Sequence, residues 1–432
     1  MPNTLAARED NRGSIKHNVI RHVLSGVLVS LFVANMFDPL GVLRAKYLAS
    51  AAAICFLPWT VKYFYMPSRT LLLGLVLFVV WPMWSLFYGV VRGGDVPVAV
   101  SQVTPFLFAG IMALIAPALG PSLPLRMFYT CLLILALAVI AGFLFILTFP
   151  DSAVSQLTLE FLSSLDMKEG LFGTRTFGSI VVPMIYFGST LFLVPGFVYY
   201  LFIGKLLRAG VILLALGLAF SKAGLTIAAA FGVYYALVVM VTGSPPGIKG
   251  DKKKVWGAGL RRFLPMLLLA GVFTVFVLSL PTFSGQIGEA WLGTSDTSLV
   301  RIGHLHSVID LFVKHPSYLL IGQGAGISFY SLGEYDYVQS FEIDHLNVIR
   351  KFGLPWFIGF SAVVFHLAFK LVKGGEPELR AMGLALVSIY FAAGTNPVLI
   401  SSLFITLTTL SYLAQANKHS SQNLYSGASE AI

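Results

Sequence analysis

Seven side chains able to bind anions or move protons crowd into one polar segment of an otherwise apolar chain. Arg301, His304, His306, His315, Glu342, Asp344 and His345 all fall within residues 283–352. Arginine offers a planar fork of donors to anionic oxygens. Histidine and carboxylate side chains can exchange protons with a bound reactant. The combination reads as anion binding joined to acid–base work. A connecting segment of this length is usually either functional or disordered. Its content of Leu, Ile, Phe, Tyr and Gly argues against disorder.

Within the segment, Leu299, Ile302, Leu305, Ile309, Phe312 and Val313 recur at helical spacing. Thr297 or Ser298 can cap the start and Pro316 closes it, which predicts an amphipathic helix over 297–316 lying on the helix bundle. Arg301 and His304 then share a face, while His306 points elsewhere and, like His315, reads as solvated. The run Gly322-Gln-Gly-Ala-Gly326 allows positive φ and close backbone approach. It has no Walker lysine and follows no nucleotide-binding strand, so a tight turn is expected there. Glu342, Asp344 and His345 come just before an apolar run, and Asn347 and Arg350 follow. A carboxylate beside a histidine can orient it or raise its basicity. His345 is the candidate general base, with Glu342 or Asp344 as the alternative; the plainer reading is a polar cap on the next helix. Two further cations fall at the ends of apolar runs on the same side: Arg175 in GLFGTRTFGSIVVP and Lys222 in LAFSKAGLTI. At such places a long basic side chain can snorkel. Arg175, Lys222 and Arg301, with His304, could also line a cationic pocket suited to a diphosphate.

The elements that must position these groups are membrane helices. The chain is 57% hydrophobic and only 11% charged, less than half the charge of a soluble domain, so the bilayer must serve as solvent. The apolar runs do not alternate, which predicts helices rather than barrel strands. Candidate spans lie near 18–37, 46–65, 70–91, 97–119, 125–149, 178–203, 208–221, 224–242, 263–282, 353–372, 381–395 and 398–415. The expected fold is an all-α polytopic membrane protein of about twelve transmembrane helices. It has a tail at 1–17, nine spans over 18–282, a large loop at 283–352, three spans over 353–415 and a polar tail, expected to be disordered, at 416–432. The net charge of +10 gathers in short loops, above all 243–262, which is the positive-inside pattern and not a nucleic-acid footprint. It puts both termini in the cytoplasm, with 150–177 and 283–352 outside. The polar N-terminus is too long for a cleaved signal, so the first span is read as an uncleaved anchor. Cys55 and Cys131 fall in spans and give no disulfide or metal pattern. No internal repeat of the kind many transporters carry is visible.

From about Gly173 onward the chain resembles the O-antigen polymerase and O-antigen ligase superfamily. The resembling pieces are Arg175-Thr-Phe-Gly178 with Pro183 entering a span and Ser221-Lys222-Ala-Gly224 closing a short span. They continue with Arg301 opening the loop helix, His315-Pro316 then Gly322–Gly326, His345-Leu-Asn347 with Gly353, and Asn396-Pro397. Lys222 stands where the family usually has arginine, which keeps the charge and loses the bidentate fork. The resemblance implies a glycosyltransferase C type fold in a bacterial inner membrane, and metal-independent, cofactor-free, inverting transfer of an undecaprenyl-diphosphate-linked glycan on the periplasmic side. It implies that Arg301, Arg175 and Lys222 hold the diphosphate and that His345 assists the acceptor hydroxyl. Membrane lipid and a chain-length regulator protein are the expected partners. The pattern around Glu342, Asp344 and Asn347 favours a polymerase, acting on the next lipid-linked repeat unit. A ligase acting on lipid A-core is the alternative, and a lipid-linked oligosaccharide flippase is the rival outside enzymes.

Overall fold

The computed structural model describes residues 3–37, 44–61, 68–120, 122–149, 172–177, 180–185, 188–219, 221–242, 296–374, 376–394 and 396–429, with 152–153 and 155–156 beside them. Side chains are described for a narrower set within these. The protein is a mostly helical membrane protein. Six described helices are long and apolar enough to cross a bilayer: Ile20–Phe37, Leu72–Val91, Val96–Leu119, Leu123–Thr148, Ala223–Val241 and Leu354–Lys373. Each closes its own backbone hydrogen bonds, as hydrocarbon requires. Three shorter apolar helices, Ala45–Cys55, Ser189–Phe202 and Leu206–Leu218, pack among them.

The twelve expected spans therefore reduce to six of full length among the described residues, and several boundaries change. The expected span 178–203 begins instead as a hairpin. Strand Phe172–Phe177 pairs antiparallel with Ile180–Ile185, and helix starts only at Leu193 after a 3-10 turn. The β-branched run Ile180-Val-Val competes for the strand ladder there. Pro183 lies within that ladder opposite Thr174 and does not enter a span. Ser221 opens the long helix Lys222–Thr242 instead of closing the short one: its hydroxyl accepts the Gly224 N–H at 3.2 Å, an N-cap bond. The second expected span breaks at Phe56, just before Pro58. Helix reaches back to Asn3 through most of the tail 1–17, and the last helix runs from Ser402 to Ser429 through the expected disordered tail. The span 263–282 and the loop 243–262 lie outside the described residues, as does the start of the large loop.

Two ends of the helix bundle can be told apart. At one, Arg21 reaches the Leu119 carbonyl, and Glu378 takes Arg126 and the Tyr199 hydroxyl. The other carries the segment 296–353 and is called the loop end below. Near it the core is aromatic. Trp356 stacks on Phe360 at 4.9 Å and sends its indole N–H to the Leu77 carbonyl at 2.8 Å. Leu77 lies in a π-helical turn, Val76–Val80, whose wider winding leaves a carbonyl to satisfy.

The loop is a small module tied to this end. Its helix, Asp296–Lys314, stops before Pro316 and packs on a hairpin of strands Phe329–Ser331 and Asp336–Val338. The approach is backbone to backbone, since a Cβ on Gly303 would come within 2.5 Å of Gly333. Val308, Phe329 and Phe341 form the module's own core. Among the described residues the helix rests chiefly on the hairpin. The run 322–326 is the buckle. Gly322, Gly324 and Gly326 all take positive φ, and a Cβ on Gly324 would sit 2.6 Å from Gly89. Ala325 N–H donates to the Ser85 carbonyl, Asp95 N–H to the Gly326 carbonyl, and Gly326 N–H to Gln102 Oε1. The turn expected for this run is present, and its purpose is to seat the loop between the helices ending at Val91 and beginning at Val96.

Gly324→Ala should cost roughly 2–4 kcal/mol, from backbone strain and overpacking together. Gly110→Ala, in open space on the same helix pair, should cost nothing. Thermal denaturation in detergent checks both.

Candidate functional site

The site is organised by the short helix Asp344–Phe352, which Gly353 at φ 86° separates from the membrane helix Leu354–Lys373. Nearly every residue of this helix from Asn347 onward is buried, including Arg350 and Lys351. Among the described residues the Arg350 guanidinium has no carboxylate partner. It donates to Gln323 Oε1 at 2.7 Å, the Ile327 carbonyl at 2.9 Å, the Gln339 carbonyl at 2.8 Å and Asn347 Oδ1 at 3.2 Å. Its face lies 4.6 Å from the Phe329 ring centroid, and its Nε has no partner. Burial lowers its pKa, but guanidine starts so high that it remains a cation. Lys351 beside it is pushed down by burial and by Arg350, with Asp344 pulling the other way.

Asp344 does not behave as the sequence led one to expect. Its carboxylate is fully buried and turned away from solvent. Oδ2 accepts the Leu399 N–H at 2.6 Å and Oδ1 accepts Asn347 Nδ2 at 3.3 Å. Burial raises its pKa, opposed by these hydrogen bonds and by Lys351. The group anchors the segment after Asn396-Pro397 to the short helix. Its described hydrogen bonds go to Leu399 and Asn347 and not to His345.

His345 is half-buried instead between Tyr390, ring centroids 5.0 Å apart, and Phe357, at 5.8 Å. Burial lowers its pKa, with a hydrogen bond to the Tyr390 backbone working the other way. The balance favours the neutral ring, the state a general base requires.

Arg301 and His304 share a face, as their spacing predicts, and meet the segment just before His345. Arg301 Nε donates to Glu342 Oε2 at 2.5 Å in a half-exposed ion pair, 35% and 43% exposed. His304 is enclosed beside Phe341, with Nδ1 bonded to the Ser331 hydroxyl at 2.7 Å and Nε2 3.3 Å from Glu334 Oε1. Both ring nitrogens are engaged, so His304 fastens the helix to the hairpin. Its pKa is lowered by burial, against the pull of Glu334 and Glu342. His306 and His315 are exposed, as expected for solvated positions.

Arg175 stands in strand Phe172–Phe177 opposite Val182, and Lys222 is the first residue of its helix. The side chains of both lie outside the described residues, so Arg301 alone represents the cationic pocket here. Among the described residues no three His, Cys, Asp or Glu side chains come together to hold a metal ion.

Sequence reasoning gave no role to three cations: Arg92, which is exposed, and Arg350 and Lys351, which are buried. Arg92 donates to the Gln323 carbonyl at 3.1 Å and to the Tyr318 hydroxyl, clamping the buckle from the membrane side. Arg350 and Lys351 hold it from beneath. A signal existed for all three: each is a basic residue at the end of the spans that the charge bias assigns to the outside, where topology alone disfavours Lys and Arg.

Arg350→Met should cost about 3–5 kcal/mol by leaving Gln323, Asn347 and two carbonyls unpaired. Arg350→Lys should not restore stability, because a point donor cannot replace the fork. Protease sensitivity of the loop and melting temperature report this. His304 has a folded-state pKa below its unfolded one, so its contribution is present above about pH 6.5 and lost as pH falls through the folded value. The stability difference between the native chain and His304→Gln should therefore shrink on acidification; a constant difference would contradict the buried neutral ring.

The sequence matches no protein-family model and no curated protein.

Proposed function

We propose that the chain is a membrane glycosyltransferase that polymerises a lipid-linked glycan at the loop end of its helix bundle. The observation that carries this reading is the Arg301–Glu342 pair. A half-exposed arginine is held by a carboxylate three residues before a half-buried histidine, at the mouth of the membrane helices. The charge bias supports assigning the loop end to the periplasm and both termini to the cytoplasm. The resemblance in motif order to O-antigen polymerases supports undecaprenyl-diphosphate-linked repeat units as the substrate.

On this reading the donor's diphosphate displaces Glu342 from Arg301, since it carries more charge and offers more oxygens to the guanidinium fork. Arg175 and Lys222 add cations to the same leaving group. The acceptor sugar's hydroxyl oxygen attacks the donor's anomeric carbon while His345 takes the hydroxyl proton. The bond from that carbon to the diphosphate oxygen breaks, its electron pair leaves with undecaprenyl diphosphate, and the anomeric configuration inverts. Fixed cations stabilise the charge that develops on the leaving group.

The purified chain in vesicles, given lipid-linked repeat units and no ion gradient, should form a polymer ladder. Arg301→Ala should lower the rate by roughly 10²–10³-fold while the fold is retained. Glu342→Gln should lower the donor KM several-fold with kcat preserved, because it frees Arg301 and leaves His345 as the base. Transport of the lipid without elongation would refute the proposal.

A further inference from the structure

The loop helix Asp296–Lys314 uses one face to hold the hairpin, yet carries a second apolar face that is exposed. Leu299, Ile302, Leu305, Ile309 and Val313 are all exposed, Val313 to 72%. At 100° per residue they fill about a third of the helix circumference over roughly 20 Å of length. The stripe carries no Lys, Arg, Asp or Glu, and the exposed His306 is set within it. Arg301 borders it on one side, and the Asp310–Lys314 pair, 2.6 Å apart, on the other. Scattered exposed apolar residues are ordinary, but an apolar stripe without Lys, Arg, Asp or Glu on a polar loop marks an interaction surface.

Its place in the fold says which surface it meets. The helix ends at Lys314, and the next turn carries Leu320, exposed to 62%. The Leu320 carbonyl lies where a Cβ on Gly353 would clash at 2.3 Å, so Leu320 sits at the first turn of the membrane helix Leu354–Lys373. Val313 is seven residues earlier, across the break at Pro316, and so within about 25 Å along the chain. The stripe therefore leads, through the exposed Leu320, to the start of that membrane helix, where Leu354 and Ile358 are also exposed. Tyr335 and Tyr337, exposed on the hairpin packed against the helix, are residues suited to the headgroup level.

We infer that this stripe is a membrane-contact surface: the loop helix lies in the bilayer interface, its five aliphatic side chains in the acyl boundary of the leaflet at the loop end. A helix of this kind binds through buried apolar area with polar borders at headgroup depth. The arrangement places Arg301 at the edge of the stripe, at the level where lipid phosphates reside. The inference is independent of the proposed reaction.

The test uses the full chain in vesicles of phosphatidylethanolamine and phosphatidylglycerol. Single cysteines replace Ile302, Ile309 and Val313, with Asp310 and Lys314 as controls, in a Cys55→Ser background; the native Cys131 is buried. Each carries an environment-sensitive fluorophore. Labels on the stripe should be quenched by nitroxide-bearing lipids and shielded from aqueous iodide, and the control labels should show the reverse. Iodide quenching of all positions alike would overturn the inference. So would stripe labels that neither quencher reaches, since the stripe would then be covered by protein. The unmodified chain gives a second reading: a phospholipid with a diazirine acyl chain should form adducts within residues 299–313, and their absence would equally count against it.

Discussion

An arginine buried without a carboxylate is the constraint on which the loop end depends. Moving a guanidinium out of water is tolerable only if its donors find fixed acceptors. Arg350 finds four, and they belong to four different stretches: the glycine buckle through Gln323, the turn before the hairpin through Ile327, the turn after it through Gln339, and its own helix through Asn347. None of those stretches can move away without stranding a buried charge. The Arg350 carbonyl also accepts the Gln323 N–H, so side chain and backbone hold the same residue. The long polar segment that composition would allow to wander is in this way pinned to the first turn of a membrane helix.

The candidate chemistry inherits its geometry from that knot. Asp344 fastens the other side of the short helix to Leu399, which fixes the start of the last helix relative to His345. His345 lies between Tyr390 of the helix Pro377–Ala392 and Phe357 of the membrane helix Leu354–Lys373. Arg301 comes from a separate helix and reaches the same neighbourhood only because His304 and Gly303 bind that helix to the hairpin. The division of labour follows burial. Fully enclosed charges, Arg350, Lys351 and Asp344, hold the frame. Half-exposed ones, Arg301 and Glu342, remain free to exchange partners.

Much of this was legible in the sequence, for identifiable reasons. Six membrane helices, the loop helix ending before Pro316 and the turn at 322–326 follow from apolar periodicity, a breaker and three glycines. The pairing of Arg301 and His304 on one face follows from their spacing. The hairpin at 172–185 was hidden because Val and Ile serve a strand and an apolar helix equally well. The burial of Asp344 was hidden because its partner, the Leu399 N–H, lies 55 residues away in sequence. Asn347 and Arg350 were visible as polar residues of one helix. That they face inward, towards a turn more than twenty residues earlier, is a tertiary fact that no local pattern encodes.

The most direct test of the account is removal of this chain from its host, followed by gel separation of the surface glycans. A polymerase at this site predicts loss of long polymer with a single repeat unit still attached to the lipid core. An unchanged ladder would contradict it. A bare core with full-length polymer left on undecaprenyl diphosphate would contradict it too, since the enzyme would then be a ligase.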